Sequence, residues 1–376
     1  MVAVAQLVRA SACGAEGRRF ESGQPPHFSL DVITPREFLL AALASEKAPF
    51  AFEKFMEAAL LHPDFGYYSK KIQDIGKEGD FSTTATMDKL LGQAIGKWVC
   101  HKKHENSFGQ KWNLIEIGAG NGNLAQTILK SIPWMRRRKL HYHIVEASPI
   151  LMETQKRKLG KLCHWHTSMP QALAACNGQA LIFSNELVDA FPCRVFEWDG
   201  FQWKEVALEL VKETLREILV QTTPLPASTT FEILDPQPGQ RIEIHESYRT
   251  WFRSWIKNWK NGSMLTIDYG EIQGNLYHRR PNGTLRAYRQ HQQIVGPQIY
   301  HNMGQQDITA DVNFSDLQNW ASELGCQNTR LETQREFIQR FLPDSVTLKN
   351  SSPSAQFILH PEGAGSAFKV LEQKRW

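Results

Sequence analysis

Residues 112–132 read WNLIEIGAGNGNLAQTILKSI, and this stretch decides the fold. WNLIEI is a short apolar run, as expected of a strand buried on both faces. It ends in Gly118, Gly120 and Gly122, after which LAQTILKSI (124–132) has helical apolar spacing. Strand, glycine turn and helix in that order form the repeating unit of a parallel α/β sheet. Glycines let a backbone approach a ligand closely, and the helix after them presents free N–H groups.

Working outward, the pattern recurs. LHYHIVEAS (140–148) reads as a second strand and PILMETQKRKLG (149–160) as a helix. LCHWHT (162–167), QALIFSNELVDAFP (179–192) and GSMLTIDYG (262–270) supply three more strand candidates. The expected fold is therefore α/β, Rossmann-like, with helices on both faces of a parallel sheet. VNFSDLQNWASELG (312–325) reads as an N-capped helix ending at glycine, and about 355–374 as one or two returning strands. Before the core, 31–61 and 87–103 look helical, the former with a second helix from about Phe50 to Leu61, and with HPDFGYYS (62–69) as a turn and EGDFSTT (78–84) as a loop. The segment 193–240 breaks the alternation and reads as a β-rich insertion, with a hairpin at Asp199-Gly200. A helix is expected at about 243–260, and a long loop at 271–312. The expected organisation is a stretch outside the fold at 1–28, an N-terminal helical or cap region at 29–110, and the main domain at 111–376.

Composition limits the function classes. The chain has 376 residues, 41% of them apolar, enough for a large core. A net charge of +4 spread over this length leaves no nucleic-acid footprint. The six cysteines are scattered without a C-x-x-C pair, so neither a disulfide framework nor a zinc ribbon is expected. No apolar run is long enough for a membrane span.

The spacing in EIGAGNG is G-x-G-x-G, not the G-x-G-x-x-G of dinucleotide binders. Glu116 stands just before the glycines. A carboxylate is awkward beside a pyrophosphate but suits a ligand with an ammonium and a sulfonium. S-adenosylmethionine (SAM) carries both. Glu146, at the end of the next strand, suits ribose hydroxyls. On this motif alone, an NAD enzyme is the alternative.

Several blocks together resemble the MidA-like SAM-dependent methyltransferases, relatives of the mitochondrial complex I assembly factor. They are HPDFGYYS (62–69), GDFSTT (79–84), LIEIGAGNGNLA (114–125), IVEASPILMETQKRKL (144–159), SNELVDAFP (184–192), LTIDYGE (265–271), GTLRAYRQH (283–291) and QQDITADVNF (305–314). The resemblance runs from about Thr34 to the C-terminus. It implies a class I methyltransferase core, SAM held by Gly118, Gly120 and Gly122, and Glu146 on the ribose. It also implies that Gly79, Asp80 and Phe81 close over the cleft. The segment TTATMDKLLGQAIG (83–96) departs from the usual family forms, which leaves the lining there open. The mitochondrial relatives methylate a protein arginine, so the resemblance implies a protein substrate, with a respiratory complex I subunit as the candidate.

SNELVDAFP puts Asn185, Glu186 and Asp189 beyond the carboxyl end of a strand, where ligands of open sheets bind. Paired carboxylates can hold a guanidinium bidentately and orient its nitrogen. The alternative is plain capping of the next turn. Asp268 and Tyr269 are secondary candidates, and Arg286, Tyr288 and Arg289 suit an acidic peptide or a solvated edge. Asp307 and Thr309 read as loop anchors. Cys100, His101 and His104, like Cys163, His164 and His166, lack a paired second half, so no metal is expected. Trp251, Trp255 and Trp259 form one helical stripe, read as packing. The basic run Arg136–Lys139 reads as a solvated loop, with docking of an acidic partner as the minor reading.

VAQLVRASACGAEGRRFESG (4–23) resembles translated bacterial tRNA genes, which implies a start placed too far upstream and a bacterial, cytoplasmic protein. A transit peptide to the mitochondrial matrix is the other reading. The expected function is methyl transfer from SAM to a protein arginine. Two alternatives stay open: methylation of another side chain or a small molecule, and a SAM-binding assembly chaperone.

Overall fold

A seven-stranded sheet carries the site: β1 (Trp112–Ile117), β2 (Leu140–Val145), β3 (Cys163–His166), β4 (Leu181–Asn185), β5 (Gly262–Glu271), β6 (Gln327–Thr333) and β7 (Phe368–Arg375). The computed structural model describes residues 34–44, 49–70, 88–105, 112–343 and 352–376. The spatial order is β3-β2-β1-β4-β5-β7-β6. The first five strands pair in parallel, whereas β7 runs antiparallel between β5 and β6. Val312–Asn313 adds a short parallel pairing at the end of β5. The chain order crosses over at β1 and β4, which opens a crevice at the carboxyl ends of these strands.

Strand β1 shows why the run is apolar on both faces. Trp112 and Leu114 point into one core, with Trp98, Ile128 and Phe337 from the helices Leu90–Glu105, Asn123–Ser131 and Gln334–Phe341. Ile115 and Ile117 point into the other, which includes Leu173, Trp251 and Trp320 from the helices Met169–Ala175, Glu246–Trp255 and Phe314–Glu323. Trp251, Trp255 and Trp259 are all buried in that second core and report packing, but the helix ends at Trp255 and Trp259 follows a 3₁₀ turn, so they are not one helical stripe.

The segment after β4 forms a second sheet from Arg194–Trp198, Trp203–Val211, Thr214–Val220 and Arg241–Ile244, joined at one edge by Phe50–Ala51. Its first two strands meet at Asp199-Gly200, where Asp199 accepts from the N–H groups of Phe201 and Gln202.

Three expectations need correction. The helix expected from 243 starts at Glu246, because Arg241–Ile244 completes the second sheet. The expected loop at 271–312 contains a three-stranded sheet of Arg286–Arg289, Gln292–Ile294 and Asp307–Thr309. The C-terminal segment opens with the helix Pro353–Leu359, capped by Ser352, before β7. The two helices expected within 31–61 are Pro35–Ala44 and Phe52–Leu61. The stretch 1–28 and the segment with Gly79, Asp80 and Phe81 lie outside the described residues.

Candidate functional site

Strand register brings the candidate residues to one end of the sheet. Ile117 pairs with both Val145 and Ser184, and Asn185 pairs with Ile267. Gly118 and Glu146 therefore lie level with Asn185 at the carboxyl ends of β1, β2 and β4, with Glu186 and Asp268 one residue further along β4 and β5.

The glycine turn is held in a conformation that side chains resist. Gly118, Gly120 and Gly122 have φ of 71°, 54° and 78°. Gly118 N–H donates to Val145 O at 3.0 Å, and Gly122 N–H to Ala119 O at 2.9 Å. Gly122 then leads into the helix Asn123–Ser131. Glu146 is fully buried; its Oε1 accepts from Ser148 N–H at 2.9 Å and its Oε2 from Gln155 Nε2 at 3.0 Å. The same Gln155 nitrogen donates to Gly120 O at 2.8 Å, and Gln155 Oε1 accepts from Trp165 Nε1 at 3.0 Å. One buried amide thus ties the glycine turn to the carboxylate of the neighbouring strand.

Glu116 faces the layer of the helix Asn123–Ser131, where Tyr142 OH donates to it at 2.8 Å. Burial pushes its carboxyl up to about 8, with the nearby Glu146 charge adding to the shift. A cation arriving at this end of the sheet would lower that value again. A left-handed glycine turn leading into a helix N-terminus, beside two buried carboxyls, fits an adenosyl ligand bearing positive charge.

The acceptor side is a tight turn after β4. Glu186 has φ of 51°, a left-handed conformation for a side chain with a Cβ, and its N–H donates to Ile267 O at 2.9 Å. Asp268 builds the rest. Its Oδ2 accepts from the N–H groups of Leu187, Val188 and Asp189 at 3.1, 2.8 and 3.3 Å, and its Oδ1 from Tyr269 N–H at 2.9 Å. Glu186 is held from both sides, by Asn185 Nδ2 at 3.1 Å and Tyr269 OH at 3.0 Å. Asp189 does not cap a helix. Its Oδ2 accepts from Thr309 Oγ1 at 3.0 Å, while its buried Oδ1 has no hydrogen-bond partner among the described residues.

Two residues distant in sequence complete this acid cluster. Asp307 accepts from Tyr68 OH, and both are buried. Burial pushes Asp189 up to about 6 and Asp307 up to about 7, and Asp189 also raises Asp307. Asp268 is raised too, by burial and then by Asp189. Beyond Tyr269 lies a cavity of about 760 Å³ whose wall includes Arg280, Arg286 and Tyr288.

Sequence reasoning missed Gln155 and Tyr68 and gave Asp307 only a loop role. A glutamine in PILMETQKRKL carries the same pattern as a surface helix position. Among the described residues, no His/Cys/Asp/Glu group is arranged to hold a metal ion, and no helix is long and apolar enough to cross a membrane.

A model of a SAM-dependent methyltransferase family matches residues 94–331. A mitochondrial protein arginine methyltransferase NDUFAF7 homolog of Caenorhabditis elegans is 25% identical over 307 residues, covering 72% of this chain and 67% of its own. The mitochondrial protein arginine methyltransferase NDUFAF7 of Danio rerio is 25% identical over 374 residues, covering 88% and 85%. The crystal structure of a Burkholderia thailandensis protein bound to S-adenosyl-homocysteine superposes with a TM-score of 0.80 at 24% identity, covering 93% of this chain and 95% of that one. The chain belongs to the MidA-like family of SAM-dependent methyltransferases, and SAM is its cofactor.

Proposed function

We propose that this methyltransferase modifies an arginine side chain of a protein. The observation that carries this reading is the buried acid cluster of Glu186, Asp189, Asp268 and Asp307, with Asp189 Oδ1 unpartnered among the described residues. Gathering these buried carboxyl groups, with Arg286 as the cation acting on Asp189 and Asp307, is costly, and a further bound cation relieves that cost. A guanidinium offers five donors in a planar fork that suits two carboxylates. The relatives named as protein arginine methyltransferases support the same substrate class.

The proposed roles are as follows. Gly118, Gly120 and Gly122 line the turn that meets the cofactor, with Glu146 toward its ribose and Glu116 toward its positive charge. Gly79, Asp80 and Phe81 keep the cleft-closing role that the family resemblance implies. SAM supplies a methyl group on a sulfonium, and the departing sulfur keeps the S–CH₃ bonding pair. Glu186 and Asp189 hold the acceptor guanidinium so that one nitrogen lies in line, about 3–3.5 Å from the methyl carbon. Asn185 and Tyr269 fix the Glu186 carboxylate. The acceptor nitrogen forms the N–CH₃ bond with its own electron pair and sheds one proton. Asp189 and Asp307, raised to about 6 and about 7, are placed to accept that proton near neutral pH.

The test uses tritiated SAM and an extract from cells lacking this protein, followed by acid hydrolysis and chromatography of the labelled amino acids. Label in methylarginine is expected. Glu186→Gln and Asp189→Asn should each lower that labelling about 100-fold while S-adenosylhomocysteine still binds. Label in another amino acid or in a small molecule would replace arginine as the acceptor. Full activity of both variants would remove the two carboxylates from the mechanism.

A further inference from the structure

The cavity beyond Tyr269 has features that methyl transfer at Glu186 does not use. Tyr269 lines the cavity and donates its hydroxyl to Glu186, so the two spaces are one side chain apart. Three cationic side chains, Arg280, Arg286 and Lys369, line the cavity against two acidic ones, Glu271 and Asp311. Lys369 is paired with Glu271 at 2.8 Å. Arg280 and Arg286 share the single carboxylate of Asp311, at 2.5 and 2.7 Å. Counted over the cavity wall alone, that leaves one positive charge in excess, while Arg286 also acts on Asp189 and Asp307 behind the wall.

The donors are also unspent. Arg286 uses Nε on Tyr288 OH and Nη1 on Thr284 O and Asp311, and its Nη2 makes no hydrogen bond among the described residues. Its guanidinium lies 5.8 Å from the ring centres of both Tyr269 and Tyr288, which fixes its direction. Arg280 spends only Nη1, and its side chain is 49% exposed. Two forks with free N–H groups facing one polar cavity make a site for an oxyanion. An excess of one charge matches a carboxylate better than a doubly charged phosphate.

We propose that this cavity is a specificity subsite for an aspartate or glutamate of the protein substrate, a few residues from the methylated arginine, with Arg280 and Arg286 gripping its carboxylate. The inference rests on the reading of the acceptor as a protein arginine. Acidic neighbours of the target arginine then bind in the cavity while the arginine itself reaches Glu186 and Asp189.

The test uses the full chain loaded with S-adenosylhomocysteine and fluorescein-labelled peptides. Each peptide has one arginine, with Asp, Asn, Lys or phosphoserine placed at successive flanking positions. Anisotropy reads binding, and tritiated SAM reads methyl transfer on the same set. Wild type should bind the best Asp peptide about tenfold tighter than its Asn counterpart. In Arg280→Ala that ratio should collapse to about one, and Arg280→Lys should restore part of it. Acid preference without labelling of arginine would leave the subsite standing and defeat the arginine reading. Labelled arginine with no acid preference, or a preference untouched in Arg280→Ala, would defeat the subsite alone. A stronger preference for phosphoserine would overturn the carboxylate assignment.

Discussion

At the scale of single residues, Gln155 is the most informative side chain outside the named motifs. Its amide joins Gly120 O, Glu146 Oε2 and Trp165 Nε1, and it is fully buried. Truncation leaves a buried carboxylate oxygen and a carbonyl without a donor, at a cost of about 1–3 kcal/mol. Gln155→Ala should therefore weaken S-adenosylhomocysteine binding about tenfold, measured by titration calorimetry, and lower the melting temperature. Unchanged affinity would show that the glycine turn and Glu146 keep their places without this bridge. Sequence alone singled out the glycines and Glu146, because a strand-to-helix glycine turn and an acid ending the next strand stand out locally. Gln155 did not stand out, since its partners come from β2, β3 and the turn after β1. Asp307 and Tyr68 were missed for the same reason: Tyr68 and Asp307 meet across 239 positions of sequence.

At the scale of elements, the turn after β4 owes its shape to a residue on β5. Asp268 accepts from three consecutive N–H groups, those of Leu187, Val188 and Asp189, with one oxygen, and from Tyr269 with the other. An asparagine in its place has one acceptor oxygen instead of two, so one of these sets loses its partner. Asp268→Asn should let Glu186 leave its left-handed conformation and lower methyl transfer about 100-fold. Binding of S-adenosylhomocysteine should be unaffected, because the cofactor turn rests on β1 and β2. Equal losses in both would mean that Asp268 supports the sheet as a whole. Apolar runs revealed β1, β2, β4 and β5, since buried parallel strands carry their signature on every residue. β6 stayed hidden because QNTRLET is polar and none of it is fully buried, and its place is set by antiparallel pairing with β7. The strands inside 271–312 are three or four residues long, too short for a period to register.

At the scale of the whole molecule, the acid cluster makes stability depend on pH in a direction that can be worked out. Asp307 has an ordinary value of 3.8 and is pushed up to about 7 in the fold, and Asp189 from 3.8 to about 6. Below about pH 4 both groups are protonated in the folded and the unfolded chain, and the shifts have no effect on the slope. Between about 4 and 7 the folded chain keeps protons that the unfolded chain releases, so stability falls as pH rises. Above about 7 the loss is complete and constant. His143 and His245 oppose this slope: burial pushes them down to about 3 and about 4, so each favours the fold as pH rises toward 6.5. The raw curve therefore mixes two signs, and a difference between variants separates them. Asn at position 307 keeps an acceptor for Tyr68 and has no proton to release. The stability of Asp307→Asn relative to wild type should grow by an amount on the order of 3–4 kcal/mol from pH 4 to pH 7, then level off. Urea unfolding at several pH values measures it. A difference that stays constant from pH 4 to 8 would mean that Asp307 is not held protonated, and the cluster would lose its claim to be waiting for a cation.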